Sequence, residues 1–293
     1  MMQVFKMTDL GEMSYFIGME VKQNEGDIFI CQRKYAKEIP KKFNMGNCKG
    51  MNTPMCQKEK LCKDDGSEQV EEALYRSLIG CLMYLTTTIP DILYVVSVLS
   101  RFMNYAKEPH FKVAKRVLRY VKDTLNYGMK FSQSQDFKLQ GYYDSDWAGF
   151  LDDMKSTSGY YFSFGSGMFS WCSKKQEIVA QSTVEAEFIA TTTAVNQALW
   201  LRKMLIDLHL EQDTTTEVME DNQAAIAISK NPVFHGKTKH FSIKLFFLRD
   251  VQRDSAVCLK YCKTEDQLSD IFTKALPRSR FELLREKLGL ANH

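Results

Sequence analysis

Hydrophobic and polar positions alternate first in two short β-rich runs, 14–21 and 28–31, separated by the turn-forming stretch Gln23-Asn-Glu-Gly-Asp27. This pattern predicts a hairpin. Helical spacing follows over 32–43, but Pro40 sits inside it. A proline in a helix interior removes a donor and clashes with the preceding turn, at a cost of about 3 kcal/mol, so a short or kinked helix is expected there. Over 46–67 the pattern loses its period and predicts a linker. Three helices come next. Residues 71–88 carry Leu74, Leu78, Leu82 and Leu85 at helical spacing, 91–105 follow Pro90 as a natural start, and 110–125 place Val113, Val117, Leu118 and Val121 on one side.

From 139 the pattern changes. A strand over 139–146 ends in acidic residues, and 158–165 with 168–172 read as a strand–glycine turn–strand pair. A long helix over 183–208 follows, then a short strand at 217–219, a helix at 223–229 capped by Asn222, a helix at 241–251 and a strand at 257–262. Thr264-x-x-Gln267 resembles a capping box opening the next helix, which buries Leu268, Ile271, Phe272 and Ala275. Asp270 falls off that apolar stripe and, on pattern alone, is an exposed helix residue.

With 293 residues, the chain has room for two domains of ordinary size, and 44% hydrophobic with 26% charged residues is a soluble globular composition. The net charge of +3 is a weak pointer to nucleic acid, so local clusters must carry that argument. No apolar run approaches the ~20 residues needed to span a bilayer. The first residues lack the long apolar core of a signal peptide. An intracellular protein without a membrane partner is expected, its compartment being cytoplasm or nucleus. The eight cysteines form no C-x-x-C pair, and Cys48, Cys56 and Cys62 lie in the linker without a matching His, so they read as reduced thiols rather than zinc ligands.

The candidate chemistry lies in scattered carboxylates. Side chains alternate along a strand, so Asp144 and Asp146 project to the same side if the strand stays regular, and pattern alone does not choose between them. Stepping from Glu187 by three or four gives Ala190, Ala194, Ala198, Leu201 and Leu205, whereas stepping from Glu185 gives Gln181, Thr192, Asn196 and Lys203. Glu187 therefore continues a buried face and Glu185 a solvated one. A carboxylate ending a buried stripe is costly unless it is paired or metal-bound. Asp221 sits at the carboxyl end of a strand, where α/β sheets place ligand groups. The helix 110–125 also carries Lys112, Lys115, Arg116 and Arg119, which read either as a solvated face or as phosphate contacts.

Several sequence words, in order, carry a family likeness: Tyr143-Asp-Ser-Asp-Trp-Ala-Gly149, Lys155-Ser-Thr-Ser-Gly-Tyr160, Trp171-Cys-Ser-Lys-Lys-Gln176, Glu185-Ala-Glu-Phe188, Asp221-Asn222, Asn231-Pro-Val-Phe-His235, Thr238-Lys-His240 and Asp270-Ile-Phe-Thr-Lys274. Together they resemble the ribonuclease H domain that ends copia-type LTR retrotransposon polyproteins. Upstream, Tyr75-Arg-Ser-Leu-Ile-Gly80 and Ala114-Lys-Arg-Val-Leu-Arg-Tyr120 are similar to the segment joining that family's polymerase to its ribonuclease H. The resemblance selects Asp144 over Asp146, agrees with Glu187, and is the reason to include Asp270. It also marks departures: Ile89 where the family commonly has Arg, an aliphatic position taken by Pro40, and Ser242 and Phe246 where Asp and His are common.

The resemblance implies two parts: residues 1–132, a smaller α+β remnant of the reverse transcriptase end and connection, and residues 133–293, an α/β ribonuclease H-like domain with a mixed sheet flanked by helices. It implies metal-dependent cleavage of the RNA strand of RNA–DNA hybrids, with Asp144, Glu187, Asp221 and Asp270 binding two magnesium ions, manganese being a substitute. The rest of a Pol polyprotein is the expected partner in the parent element. The family's Tyr-x-Asp-Asp polymerase word is missing ahead of Asp9-Leu-Gly11, so polymerase activity is not expected from these residues. The rival reading is a catalytically inert nucleic-acid-binding remnant.

Overall fold

The computed structural model describes residues 11–134, 136–230 and 242–292, so the words at 231–235 and 238–240 and the start of Asp9-Leu-Gly11 lie outside the described residues. Strands β1 (Tyr15–Phe16), β2 (Met19–Asn24) and β3 (Asp27–Cys31) run antiparallel, with Asn24 level with Asp27 across the expected hairpin turn. Helix α1 (Arg33–Lys42) follows with Pro40 inside it. The helix is neither cut short nor ended there: Pro40 lies in the last turn, is buried, and its carbonyl still accepts the Met45 N–H at 2.7 Å. Only one donor is lost, near a helix end where donors and acceptors are already changing partners.

Helices α2 (Glu72–Leu85), α3 (Leu93–Ser100) and α4 (Glu108–Asp123) then form the helical layer. A single 3-10 turn at Pro90–Ile92 leads into α3, which is shorter than its apolar pattern predicts because the Arg101, Phe102 and Met103 N–H groups bond carbonyls three residues back, in turns rather than α-helix. In α2, Leu78, Leu82 and Leu85 are buried as expected but Leu74 is exposed; Tyr75 takes the inward place and donates its hydroxyl to the Leu99 carbonyl at 2.8 Å. Strand β4 (Tyr127–Ser132) pairs with β3.

The second sheet is built from β5 (Leu139–Ser145), β6 (Thr157–Phe164), β7 (Gly167–Lys175), β8 (Thr216–Glu220) and β9 (Val257–Tyr261), in the order β7-β6-β5-β8-β9. β5, β6 and β7 are antiparallel, while β8 runs parallel to β5 and β9 parallel to β8. Helix α5 (Thr183–Asp207) crosses this sheet with Ala190, Ala194, Ala198, Leu201 and Leu205 buried, packing in one cluster with Tyr143, Phe162 and Val218. Helices α6 (Gln223–Lys230) and α7 (Ser242–Arg253) complete the mixed, helix-flanked sheet expected of the ribonuclease H-like part.

The end of the chain returns to the first sheet. Helix α8 (Arg278–Lys287) leads to β10 (Leu290–Asn292), which pairs antiparallel with β4, giving the order β1-β2-β3-β4-β10. Phe272, Phe281 and Leu284 share one apolar cluster with Leu78, Leu99 and Val117 of the helical layer. Each such side chain contributes roughly 1.5–3 kcal/mol on burial, so the two sheets are joined by a common core rather than a hinge. Arg101 Nη2 to Thr157 Oγ1 at 3.0 Å and Trp171 Nε1 to the Thr86 carbonyl at 3.2 Å add polar ties across the same junction.

Candidate metal centre

Parallel pairing brings two acids level. Tyr142 on β5 stands opposite Met219 on β8, and two residues further along each chain come Asp144 and Asp221. Asn222 caps α6, its Oδ1 accepting the Ala224 and Ala225 N–H groups at 3.1 and 3.2 Å, which turns the chain sharply just past Asp221. The third acid arrives on α5. Gln176, at the end of β7, is buried and its Nε2 reaches Ser145 Oγ, Ser158 Oγ and the Ala186 carbonyl at 3.1, 2.8 and 2.9 Å. This one side chain ties α5 to β5 and β6 beside Glu187. Asp144, Glu187 and Asp221 each bring a carboxylate oxygen within 4.8 Å of the others.

Asp144 and Glu187 are buried, and Asp221 is half-buried. Glu187 Oε2 has no hydrogen-bond partner among the described residues. Burial pushes the Glu187 carboxyl well above its usual range, and Glu220, Asp144 and Asp221 push it further the same way. The cluster therefore holds more negative charge than its own surroundings neutralise, and protons or cations must supply the balance.

Asp270 is buried rather than exposed, because the helix expected after Thr264 does not form. Thr264–Asp266 and Leu268–Phe272 are two short 3-10 turns. Gln267, expected to close a capping box, instead donates to the Tyr143 carbonyl at 2.9 Å and accepts the Ser269 N–H at 3.2 Å, clamping the segment onto β5. Asp270 is not among the three clustered acids. It pairs with Lys274 Nζ at 2.8 Å and Arg280 Nη2 at 3.2 Å, and Lys274 also lies 3.2 Å from Asp144 Oδ2. Burial, then Asp144, raises the Asp270 carboxyl, while the two cations lower it without cancelling that rise.

Glu185 corrects the sequence reading. It is buried, not solvated: its Oε2 accepts the Gln181 N–H at 2.9 Å, and its own N–H is capped by Ser182 Oγ at 3.2 Å. Asp146 lies beside the site, its carboxyl pushed up to about 6 by burial, and its Oδ1 accepts the Thr157 N–H. Glu220 was missed. Fully buried, it places Oε1 on the Asn222 N–H at 2.8 Å and leaves Oε2 unpartnered among the described residues. The alternation of Thr216, Val218 and Glu220 on one strand face was the available signal.

The basic helix α4 is largely occupied with its own chain. Arg116 Nε donates to the Thr53 carbonyl at 3.1 Å and Nη2 to Thr53 Oγ1 at 2.9 Å, while Arg119 Nε donates to the Lys49 carbonyl at 2.8 Å. Lys112 is exposed, and Lys115 Nζ sits 4.0 Å over the Phe111 ring. Linker residues without secondary structure offer bare carbonyls, and a cationic donor from a neighbouring helix satisfies them.

A family model described as reverse transcriptase (RNA-dependent DNA polymerase) matches residues 1–57. Over 98% of its length the chain is 35% identical to the retrovirus-related Pol polyprotein from transposon RE1 of Arabidopsis thaliana, and 36% identical to that from transposon TNT 1-94 of Nicotiana tabacum. It spans 20% and 22% of the length of these two relatives. Among solved structures, LC11-RNase H1 isolated from compost aligns over 46% of this chain and 92% of its own, at 15% identity and a TM-score of 0.35.

Proposed function

Because the chain belongs to the family of copia-type retrotransposon Pol polyproteins, we propose that its second sheet carries a ribonuclease H-type endonuclease that cuts the RNA strand of RNA–DNA hybrids with divalent metal ions. The observation that carries this reading is the meeting of Asp144, Glu187 and Asp221 oxygens within 4.8 Å at the strand ends. An all-oxygen donor set suits magnesium or manganese, and the orphaned, buried Glu187 Oε2 has a coordination position to offer. Asp144, Glu187 and Asp221 would hold one ion, and Asp144 with Asp270 would be the pair for a second. Bound ions supply an activated water and stabilise the charge developing on the phosphate.

The chain's own groups set that site in place. Thr273 Oγ1 donates to Asp144 Oδ2 and fixes the carboxylate's rotation. Gln176 holds the first turns of α5, so Glu187 cannot swing away from β5. Discrimination for RNA rests on contacts to the 2′-hydroxyl of the cut strand. One observation favours the inert, nucleic-acid-binding reading: Asp270 is already neutralised by Lys274 and Arg280.

A single assay decides between the two. Hybrid cleavage by the purified chain should require magnesium and fall at least a hundredfold in Asp221→Asn, which keeps the side-chain shape and removes one negative ligand. A parent chain that binds hybrid but does not cut in magnesium or manganese is the inert remnant.

A further inference from the structure

The segment after Phe272 presents two residues to Asp144 in succession. Thr273 donates its hydroxyl to Asp144 Oδ2, and the Lys274 ammonium lies 3.2 Å from the same oxygen and 2.8 Å from Asp270 Oδ1. The side chains of Asp144 and Asp270 are 3% and 7% exposed, whereas Lys274 keeps 41% of its side chain in solvent. The ammonium thus closes the Asp144–Asp270 pair from the outside. Burial works against the charged lysine, but Asp144 and Asp270 outweigh it and its pKa is raised.

The other half of the site is different. Among the described residues no cation forms an ion pair with Glu187 or Asp221, and Glu187 Oε2, in a side chain more than nine-tenths buried, is unpartnered. Lys274 meets that triad only at Asp144 Oδ2, so a divalent ion can join Glu187, Asp221 and the other Asp144 oxygen with the ammonium still seated on Asp270. An ion chelated by Asp144 and Asp270 must take the place that the ammonium fills. Lysine suits such a place, since it is a compact point charge on a flexible, partly solvated stem that can withdraw.

We propose that Lys274 is the resident counter-cation of the Asp144–Asp270 pair, so that divalent ions load unequally: a first at Asp144, Glu187 and Asp221, and a second only by displacing the lysine. The inference rests on the metal-dependent reading above and deepens it. It makes the occupancy of the second position depend on cation concentration, with Lys274 as the positioning residue that sets the threshold.

Manganese uptake by the full chain, followed by titration calorimetry and by the paramagnetic resonance of free Mn2+, reads this directly and without cleavage. The parent should take up manganese in two steps separated at least tenfold in affinity. Lys274→Met keeps the stem and removes the charge, and should tighten the second step at least tenfold with a much smaller effect on the first. Lys274→Arg should keep the two steps apart. Equal steps in the parent, or a second step that Lys274→Met leaves unchanged or weakens, overturns the proposal. Should Lys274→Met fail to fold, Asp270→Asn replaces it: the second step should vanish while the first stays, and a first step lost as fully as in Asp221→Asn overturns the proposal. A chain that takes up manganese in the two unequal steps yet cuts no hybrid overturns the cleavage reading and leaves the role of Lys274 standing. A chain that takes up no manganese removes the premise, and the proposal with it.

Discussion

Gly159 on β6 stands directly opposite Asp144 on β5, and it is the bare backbone there that lets the carboxyl-terminal segment lie across the sheet. A Cβ at Gly159 would come within 2.7 Å of Phe272 Cβ, 2.8 Å of Thr273 Cγ2 and 3.2 Å of the Phe272 carbonyl carbon. Gly159 is thus the space through which Thr273 reaches Asp144 and Asp270 comes near it. Gly159→Ala must push that segment outward. Overpacking of this kind costs about 1–3 kcal/mol. The expected result is a lowered urea midpoint together with at least a tenfold loss of hybrid cleavage, because the crossing segment moves relative to β5. Wild-type stability and rate in this variant would show that the crossing has slack.

Glu185 offers the complementary test, an acid close to the cluster that does not belong to it. Its carboxylate serves the Gln181 N–H at the start of α5, where negative charge also suits the helix dipole. Glu185→Gln retains an acceptor and loses the charge. Stability should drop by about 0.5–1 kcal/mol, the range of a weakened cap, with cleavage within twofold of the parent. A loss of cleavage comparable to that of Asp221→Asn would place Glu185 among the metal ligands.

Asp91 gives the fold a pH dependence away from the site. It is buried beneath α4 and α8, accepts the Tyr120 hydroxyl, and Arg285 Nη1 donates in turn to that hydroxyl at 3.2 Å. Burial raises its carboxyl from 3.8 to about 6, although Tyr120 and Arg285 pull the other way. The folded chain therefore holds this proton more tightly than the unfolded chain. Its stabilising effect is complete below pH 3.8, declines as the pH rises toward 6, and is gone above it. A shift of this size corresponds to at most about 3 kcal/mol. Asp91→Asn should remove that component, so the stability of parent minus variant should fall between pH 4 and pH 7 in denaturant titrations. A difference that is flat over this range, or that rises, contradicts the raised carboxyl.

What the sequence revealed follows from which forces repeat along it. The apolar stripe from Ala190 to Leu205 recurs with the helix period, so it located α5 and selected Glu187 for its buried face. The same period misplaced Glu185. The first turns of α5 are buried all round, from Glu185 through Thr192 without a break, so no solvated face existed there for a period to reveal. Ser182-Thr-Val-Glu185 is itself a capping signal, and it carries the information that the stripe lacks. Asp270 was visible only through the family likeness, because two 3-10 turns stand where a helix was expected and so short a segment has no period to read. β10 has three residues and gains its place by pairing with β4, a contact between distant parts of the chain that local patterning does not encode. The strand-end acids Asp144 and Asp221 were legible as types and positions; the pairing of Asp144 with Lys274, and of Asp270 with Lys274 and Arg280, depends on the crossing segment and was not.

The basic helix α4 shows why a charge run alone is ambiguous, and its four candidate cations should now separate into two pairs. Arg116 and Arg119 are committed to the Thr53 and Lys49 carbonyls, so removing either leaves linker acceptors without their donor. Arg116→Ala should cost about 1–3 kcal/mol of stability, the range for an unsatisfied polar group, and leave the salt dependence of hybrid binding as it was. Lys112 is exposed and, among the described residues, Lys115 meets only the Phe111 ring, so both remain available to phosphates. Neutralising each to Gln should flatten the slope of log affinity against log salt by about 0.7 to 0.9 with little change in stability. The measurement is a salt titration of hybrid binding in calcium, which fills oxygen sites while supporting little cleavage. A slope that changes with Arg116 and not with Lys112 or Lys115 would reverse the assignment, and a slope indifferent to all of them would leave α4 as the clamp of the linker and nothing more.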